Sequence, residues 1–221
     1  MNRTRLPKLL VPTTAILLAG VLLLHPQFDG GVYEGLSDQV NRWVAVHIAL
    51  AVGVGLMSIA AFTLIDGLPG RAATVSRIAL TVFPVVFITW EATLGVGTGL
   101  MVDQANGLAV GDRGPVADSI QGYFESPVLF GLSAIGNGAW IVAMIAAALA
   151  FRRAGARGSV VALVGLSSLF VLHDAGPVGA IGLTCFAAAA VLVQRDPRLG
   201  AQTRSYDGFT ASEPLAQGQA G

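Results

Sequence analysis

IALTVFPVVFITWEATLGVGTGLMV, residues 78–102, holds one ionisable side chain, Glu91, in 25 residues. A membrane-spanning helix needs about 20 predominantly apolar residues, so this run is long enough to cross a bilayer with a carboxyl group near its middle. Reading outward from it, the rest of the chain repeats the pattern: long apolar runs separated by short polar connections. The 221 residues are 54% hydrophobic and 12% charged, with a mean hydropathy of +0.70. A soluble domain carries about 25% charged residues, so this chain has too few to coat a water-facing surface. The reading is an all-α, polytopic membrane helix bundle.

Six spans are expected, roughly 9–24, 43–65, 78–102, 127–151, 159–173 and 177–194, together forming one transmembrane domain over residues 1–194. The basic start followed by an apolar run resembles a secretory signal. Bulky leucines precede "HPQFDGG" where a signal peptidase requires small residues, so the run is read as a retained first span. Residues 195–221 are polar and rich in Gly, Ala and Gln, which predicts a disordered cytoplasmic tail. In the two longer connections, Val32, Leu36 and Val40, and then Ile120 and Phe124, recur at helical spacing and predict short helices lying on the membrane.

Lysine and arginine are retained in cytoplasmic loops during insertion. With six spans, Arg3, Arg5, Lys8, Arg71, Arg77, Arg152, Arg153, Arg157, Arg195, Arg198 and Arg204 fall on one side, and Arg42 and Arg113 on the other. Both termini are therefore expected in the cytoplasm, with the chain in the plasma membrane and the long loops outside. The formal net charge of zero gives no footprint for nucleic acid. The partners expected are the lipid bilayer itself and either another membrane protein or further copies of the chain. A single cysteine, Cys185, excludes an intrachain disulfide and a cysteine-rich metal centre.

At 1.5 Å per residue, Glu91 lies about 20 Å from the inner end of its span and about 16 Å from the outer end. Asn137 comes out about 15 Å deep on the fourth span, with Ser167 and Ser168 at a similar level on the fifth. Glu91, Asn137, Ser167 and Ser168 are thus predicted to form an intramembrane polar layer. Steps of three and four from Glu91 reach Gly95 and Gly99, a small-residue seam suited to close helix contact, so Glu91 is expected to face protein. No lysine or arginine occurs within a span, and a neutral acid is the cheaper state in such surroundings. A protonated Glu91 donating to Asn137 or to a nearby carbonyl is expected. His47 is placed only about 6 Å below the outer end of its span, about 10 Å from the level of Glu91. Its side chain leans the opposite way, so a direct Glu91–His47 contact is disfavoured.

All three histidines fall in the outer third. His47, His173 and His25, with Glu125 and Asp174, are the candidate ligands for a divalent metal, and His47 with His173 for haem; none shows helical ligand spacing. Cofactor-free is the simpler expectation. Trp90 and Trp140 are read as packing residues. The chain has no Walker A sequence, no dinucleotide fingerprint, no nucleophile elbow and no His-Glu-x-x-His, and its two halves show no echo of each other. Three functions follow in order: a small integral membrane protein without catalytic activity, accessory or structural, in which Glu91 and Asn137 specify packing; a proton-linked transporter using Glu91; and an outer metal or haem site.

Overall fold

The computed structural model describes residues 6–172, 177–196 and 199, and every regular element among them is helical. In chain order they are α1 (Leu6–Leu23), α2 (Val32–Leu36), α3 (Val40–Ile65), α4 (Arg71–Trp90), a π-helical segment (Glu91–Gly97), α5 (Thr98–Asn106), a 3-10 turn (Val110–Asp112), α6 (Arg113–Phe124), α7 (Pro127–Arg153), α8 (Gly158–Leu166), a second 3-10 segment (Ser167–Leu172) and α9 (Pro177–Arg195). The α4, π and α5 segments form one continuous rod. Four helical stretches are long and apolar enough to cross a membrane: Val40–Ile65, Arg71–Asn106, Val110–Arg153 and Pro177–Arg195. Two further apolar stretches, Leu9–Leu23 and Gly158–Leu172, are shorter. The tail expected to be disordered lies outside the described residues beyond Asp196, apart from Leu199.

Each long helix is apolar on two sides. On α3 the series Leu50, Val54, Met57, Ala61 and Leu64 is buried, while Ile48, Val52, Leu56 and Ile59 are exposed on the opposite face. A water-facing helix would put charges on that outer face, whereas lipid accepts leucine and isoleucine there. Neighbour contacts run α1 to α3, α3 to α4, α4 to α7, α7 to α8, α8 to α9 and α9 back to α1, so the bundle closes into a ring with successive long elements side by side. Short connections favour this antiparallel order.

The ends are finished differently. At one end, Asp66–Gly70 reverses the chain between α3 and α4, with Gly67 at φ 72° and Gly70 at φ 91°, conformations that cost glycine little. Arg77 then donates from Nη2 to the carbonyls of Ile65 (3.1 Å) and Leu68 (2.9 Å), satisfying acceptors that the α3 terminus leaves open. Arg157 approaches Asp196 at 3.9 Å at the same end.

At the other end α2 and α6 form a cap; Val32, Leu36 and Ile120 are buried as their spacing predicts, whereas Val40 belongs to α3 because α2 ends at Leu36, and Phe124 is half-buried. The Val32 amide donates to Gln121 Oε1 (2.9 Å), the Tyr33 hydroxyl to Asn106 Oδ1 (2.9 Å), and Asn106 Nδ2 to the Ser37 carbonyl (3.0 Å). Ser126 caps α7 by accepting from the Val128 amide (3.3 Å), with Pro127 in the first turn where no donor is needed.

The interior between the ends is aromatic. Phe83 and Phe87 of α4, Trp140 of α7 and Phe170 of the second 3-10 segment pack ring to ring, with centroids 4.8 Å apart for Phe83–Trp140 and 5.6 Å for both Phe87–Phe170 and Trp140–Phe170. Trp140 thus packs as expected, its indole N–H donating to the Ser167 carbonyl (2.9 Å).

Candidate functional site: a buried acid and histidine beneath a pocket at the capped end

Glu91 begins the π-helical segment. A π turn carries more residues than an α turn and is found mostly as single turns, often at functional sites. Here "EATLGVG" supplies two glycines and no bulky β-branched cluster against α3. Two side chains from other helices fasten the segment: Tyr123 of α6 donates its hydroxyl to the Thr93 carbonyl (2.7 Å), and Trp43 of α3 donates its indole N–H to the Gly95 carbonyl (2.6 Å). Tyr123→Phe removes one of these bonds without changing shape, and a loss of about 1 kcal/mol is expected in detergent unfolding. Unchanged stability would show that the Tyr123 bond does not hold the segment.

The Gly95–Gly99 seam behaves as its spacing predicts. A Cβ on Gly95 would overlap the His47 ring, and one on Gly99 would overlap Val44 and approach Trp43. Without those carbons α3 lies directly on the π segment.

That proximity corrects one expectation. His47 Nε2 lies 3.9 Å from Glu91 Oε2, with the residues 1% and 0% exposed. The reason is register. Aligning the expected span ends would set Trp43 against Val102, but the structure sets it against Gly99, three residues earlier, because α5 continues to Asn106 and docks beneath the cap. Three residues are about 4.5 Å, so His47 faces Gly95, only four residues or about 6 Å from Glu91, a gap that two side chains span.

The histidine tautomer follows from its other nitrogen. His47 Nδ1 lies 2.8 Å from the Trp43 carbonyl, which can only accept, so Nδ1 carries hydrogen. Nε2 faces Glu91 and can take or give one proton. With one shared proton the pair is either carboxylic acid beside imidazole or carboxylate beside imidazolium. At 3.9 Å the atoms stand about 1 Å beyond direct hydrogen-bond reach, so transfer requires a small approach.

The polar layer expected from sequence is not a connected network. Asn137 Nδ2 donates to Ser133 Oγ one turn away on α7 (3.1 Å), and Asn137 Oδ1 has no hydrogen-bond partner among the described residues. The expected Glu91–Asn137 bond is therefore not formed; helix α7 directs Asn137 toward its own preceding turn. Ser167 is buried and spends its hydroxyl on the Val164 carbonyl, while Ser168 is half-buried beside it. Phe87 stands one turn from Glu91 and packs against Gly136, whose added Cβ would meet Phe87 at 3.4 Å.

Above the pair, at the capped end, is a pocket of about 590 Å³. It gathers His25, Gln27 and Phe28 from the end of α1, Trp43 and His47 from α3, Trp90 and Leu94 from the α4–π junction, and Phe124, Glu125, Phe130 and Ser133 from the α6–α7 corner. The His25 ring lies 5.0 Å from His47 and 5.2 Å from Trp43, and Trp43 lies 4.1 Å from His47. His25 Nδ1 also contacts the Pro26 carbonyl (2.9 Å). His47 both lines the pocket and faces Glu91, so it stands between them. Trp90, expected to be a packing residue, is part of the pocket wall.

Of the candidate metal or haem ligands, His47, His25 and Glu125 share this pocket, whereas His173 and Asp174 lie outside the described residues. Among the described residues no three His, Cys, Asp or Glu side chains are grouped to hold a metal ion. Trp43, whose ring by sequence suits the headgroup zone, is instead buried against the Gly95–Gly99 seam, and that contact and the π segment escaped the sequence reading; the available signal was Trp43 and His47 one turn apart, opposite a glycine pair with the same spacing.

Comparison with family models, with curated proteins and with solved structures finds no match to this chain.

Proposed function

We propose that the chain is a six-span, multi-pass plasma-membrane protein with both termini cytoplasmic, and that it acts as a proton-linked transporter whose proton site is the His47–Glu91 pair. Six spans are supported by the lengths of the two shorter stretches. Eighteen residues of α1 rise about 27 Å, and nine α-helical plus six 3-10 residues from Gly158 to Leu172 rise about 26 Å, because a 3-10 segment rises about 2.0 Å per residue. Both approach the ~30 Å hydrocarbon thickness. Orientation is supported by Arg77 and Arg157 at the end opposite the capped pocket, since arginine marks the cytoplasmic side.

The observation that carries the proton-linked reading is a fully buried acid facing a histidine at the floor of a pocket. Intramembrane acids and histidines are costly to insert and serve proton relays in pumps and transporters. A solute in the pocket touches His47 directly, so its binding shifts the shared proton and couples occupancy to protonation.

One observation favours the alternative, an accessory or structural membrane protein without enzymatic activity. The aromatic layer of Phe83, Phe87, Trp140 and Phe170 closes the bundle between Glu91 and the arginine end. A carrier must part that layer in its second conformation. The two readings separate in proteoliposomes with an internal pH dye, an imposed proton gradient and a panel of small solutes. A carrier gives solute-dependent proton movement that Glu91→Gln abolishes while the variant stays folded. Proton movement that persists in the variant, or none with any solute, would leave the packing role.

A further inference from the structure

We infer that the outer pocket binds a small organic ammonium ion bearing an apolar substituent. The inference deepens the transporter reading by naming the class of solute, and it rests on the pocket lining. Five aromatic rings, Phe28, Trp43, Trp90, Phe124 and Phe130, provide π faces and apolar walls. The formal charge on the lining is the Glu125 carboxylate, exposed at the rim, where one oxygen is held by Gln121 Nε2 (2.5 Å). Among the described residues no lysine or arginine lines the pocket. Arg42, the basic residue of the α3 start, is turned onto the Leu24 carbonyl (2.8 Å). Behind His47 stands a second carboxyl group, Glu91.

Aromatic faces attract cations through their quadrupole, and an alkylated ammonium matches such walls because its charge is spread over apolar groups and weakly hydrated. With His25 and His47 neutral, an anion would meet Glu125 and the negative ring faces with no compensating cation among the described residues of the lining. A neutral apolar molecule would gain the walls but lose the attraction. The volume of about 590 Å³ suits a ligand of a few fused or linked groups, since small-molecule pockets run about 300–1,000 Å³. The arrangement gives direction too: Glu125 at the rim receives the cation, the rings hold it, and His47 with Glu91 lies below.

The test uses the full chain purified in detergent at pH 8, where unperturbed histidines are uncharged. Benzyltrimethylammonium, phenylacetate and benzyl alcohol are titrated separately while tryptophan fluorescence is followed, since Trp43 and Trp90 line the site. Saturable binding of the ammonium at least about tenfold tighter than either other probe is expected. Glu125→Gln and Phe130→Ala, both at exposed positions, should each weaken ammonium binding about threefold to tenfold with melting temperature unchanged.

Equal or tighter binding of phenylacetate or benzyl alcohol would overturn the inference, as would ammonium binding that neither substitution alters. Failure of the transporter reading looks different. Ammonium that binds selectively but moves no protons in proteoliposomes would leave the ligand class standing and remove the proton linkage. Proton-linked flux of some other solute without ammonium selectivity would do the reverse.

Discussion

Gly95→Ala is expected to lower the stability of the protein by about 1–3 kcal/mol, and to do so through one specific overlap. An added Cβ at Gly95 falls on the His47 ring, close to both its Cδ2 and Cγ atoms. The ring cannot swing aside cheaply, because Nδ1 is tied to the Trp43 carbonyl, Trp43 stacks on it at 4.1 Å, and the Trp43 indole is itself tied to the carbonyl of Gly95. Relief therefore requires α3 and the π segment to separate, and overpacking of that kind costs about 1–3 kcal/mol. Gly138→Ala is the control, since nothing lies within 4 Å of its Cβ position and it too sits inside a long apolar helix. Thermal unfolding in detergent should show Gly95→Ala falling by several degrees while Gly138→Ala stays at or above the parent. A second check uses His47→Ala in the Gly95→Ala background. Removing the ring removes the clash, so the double variant should be more stable than the sum of the two single losses. Strict additivity would mean that α3 and the π segment do not meet as described.

That prediction depends on a register the sequence only half discloses. The apolar runs, the cap helices under Val32, Leu36 and Ile120, and the Gly95–Gly99 seam all follow from periodicity, because helix faces repeat every three to four residues whatever the neighbours do. The depth of His47 relative to Glu91 does not. It depends on how far α5 projects past α3, and that projection is set by Tyr33 and Ser37 gripping Asn106, contacts between residues about 70 positions apart. Aligning helices by their apolar ends assumed a flat membrane boundary and lost three residues of offset. The π segment is equally hidden, since nothing in "EATLGVG" distinguishes a π turn from an α turn until Trp43 and Tyr123 are placed against its carbonyls. The Asn137 reading failed for a local reason: Ser133, four residues back, offers a partner within the same helix that a search across helices overlooks. Long-range register and short-range competition thus account for the differences, while burial of Glu91 away from lipid was legible from its own helix.

The second large effect concerns the pair itself, and here the coupling between substitutions carries more than either loss alone. His47→Leu removes the partner of a fully buried acid along with the ring contacts to His25 and Trp43, and the variant is expected to lose about 3 kcal/mol, in the range seen when one member of a buried polar pair is deleted. Glu91→Leu should cost less, because the remaining neutral imidazole keeps its Nδ1 bond to Trp43 and loses one facing group. Glu91→Gln should cost least, since its amide N–H can approach the Nε2 lone pair as the acid does. Combining His47→Leu with Glu91→Leu removes both polar groups from a site walled by Leu94 and Trp90, so the double variant should recover about 1–3 kcal/mol relative to the sum of the single losses. Detergent unfolding of the four proteins measures that recovery directly. A coupling near zero would mean that the 3.9 Å approach brings no interaction, and the proton site would lose its physical basis even if Glu91 remained buried. A coupling of the expected size together with intact stability of Glu91→Gln leaves the variant that the flux measurement requires: folded, neutral at position 91, and unable to release a proton.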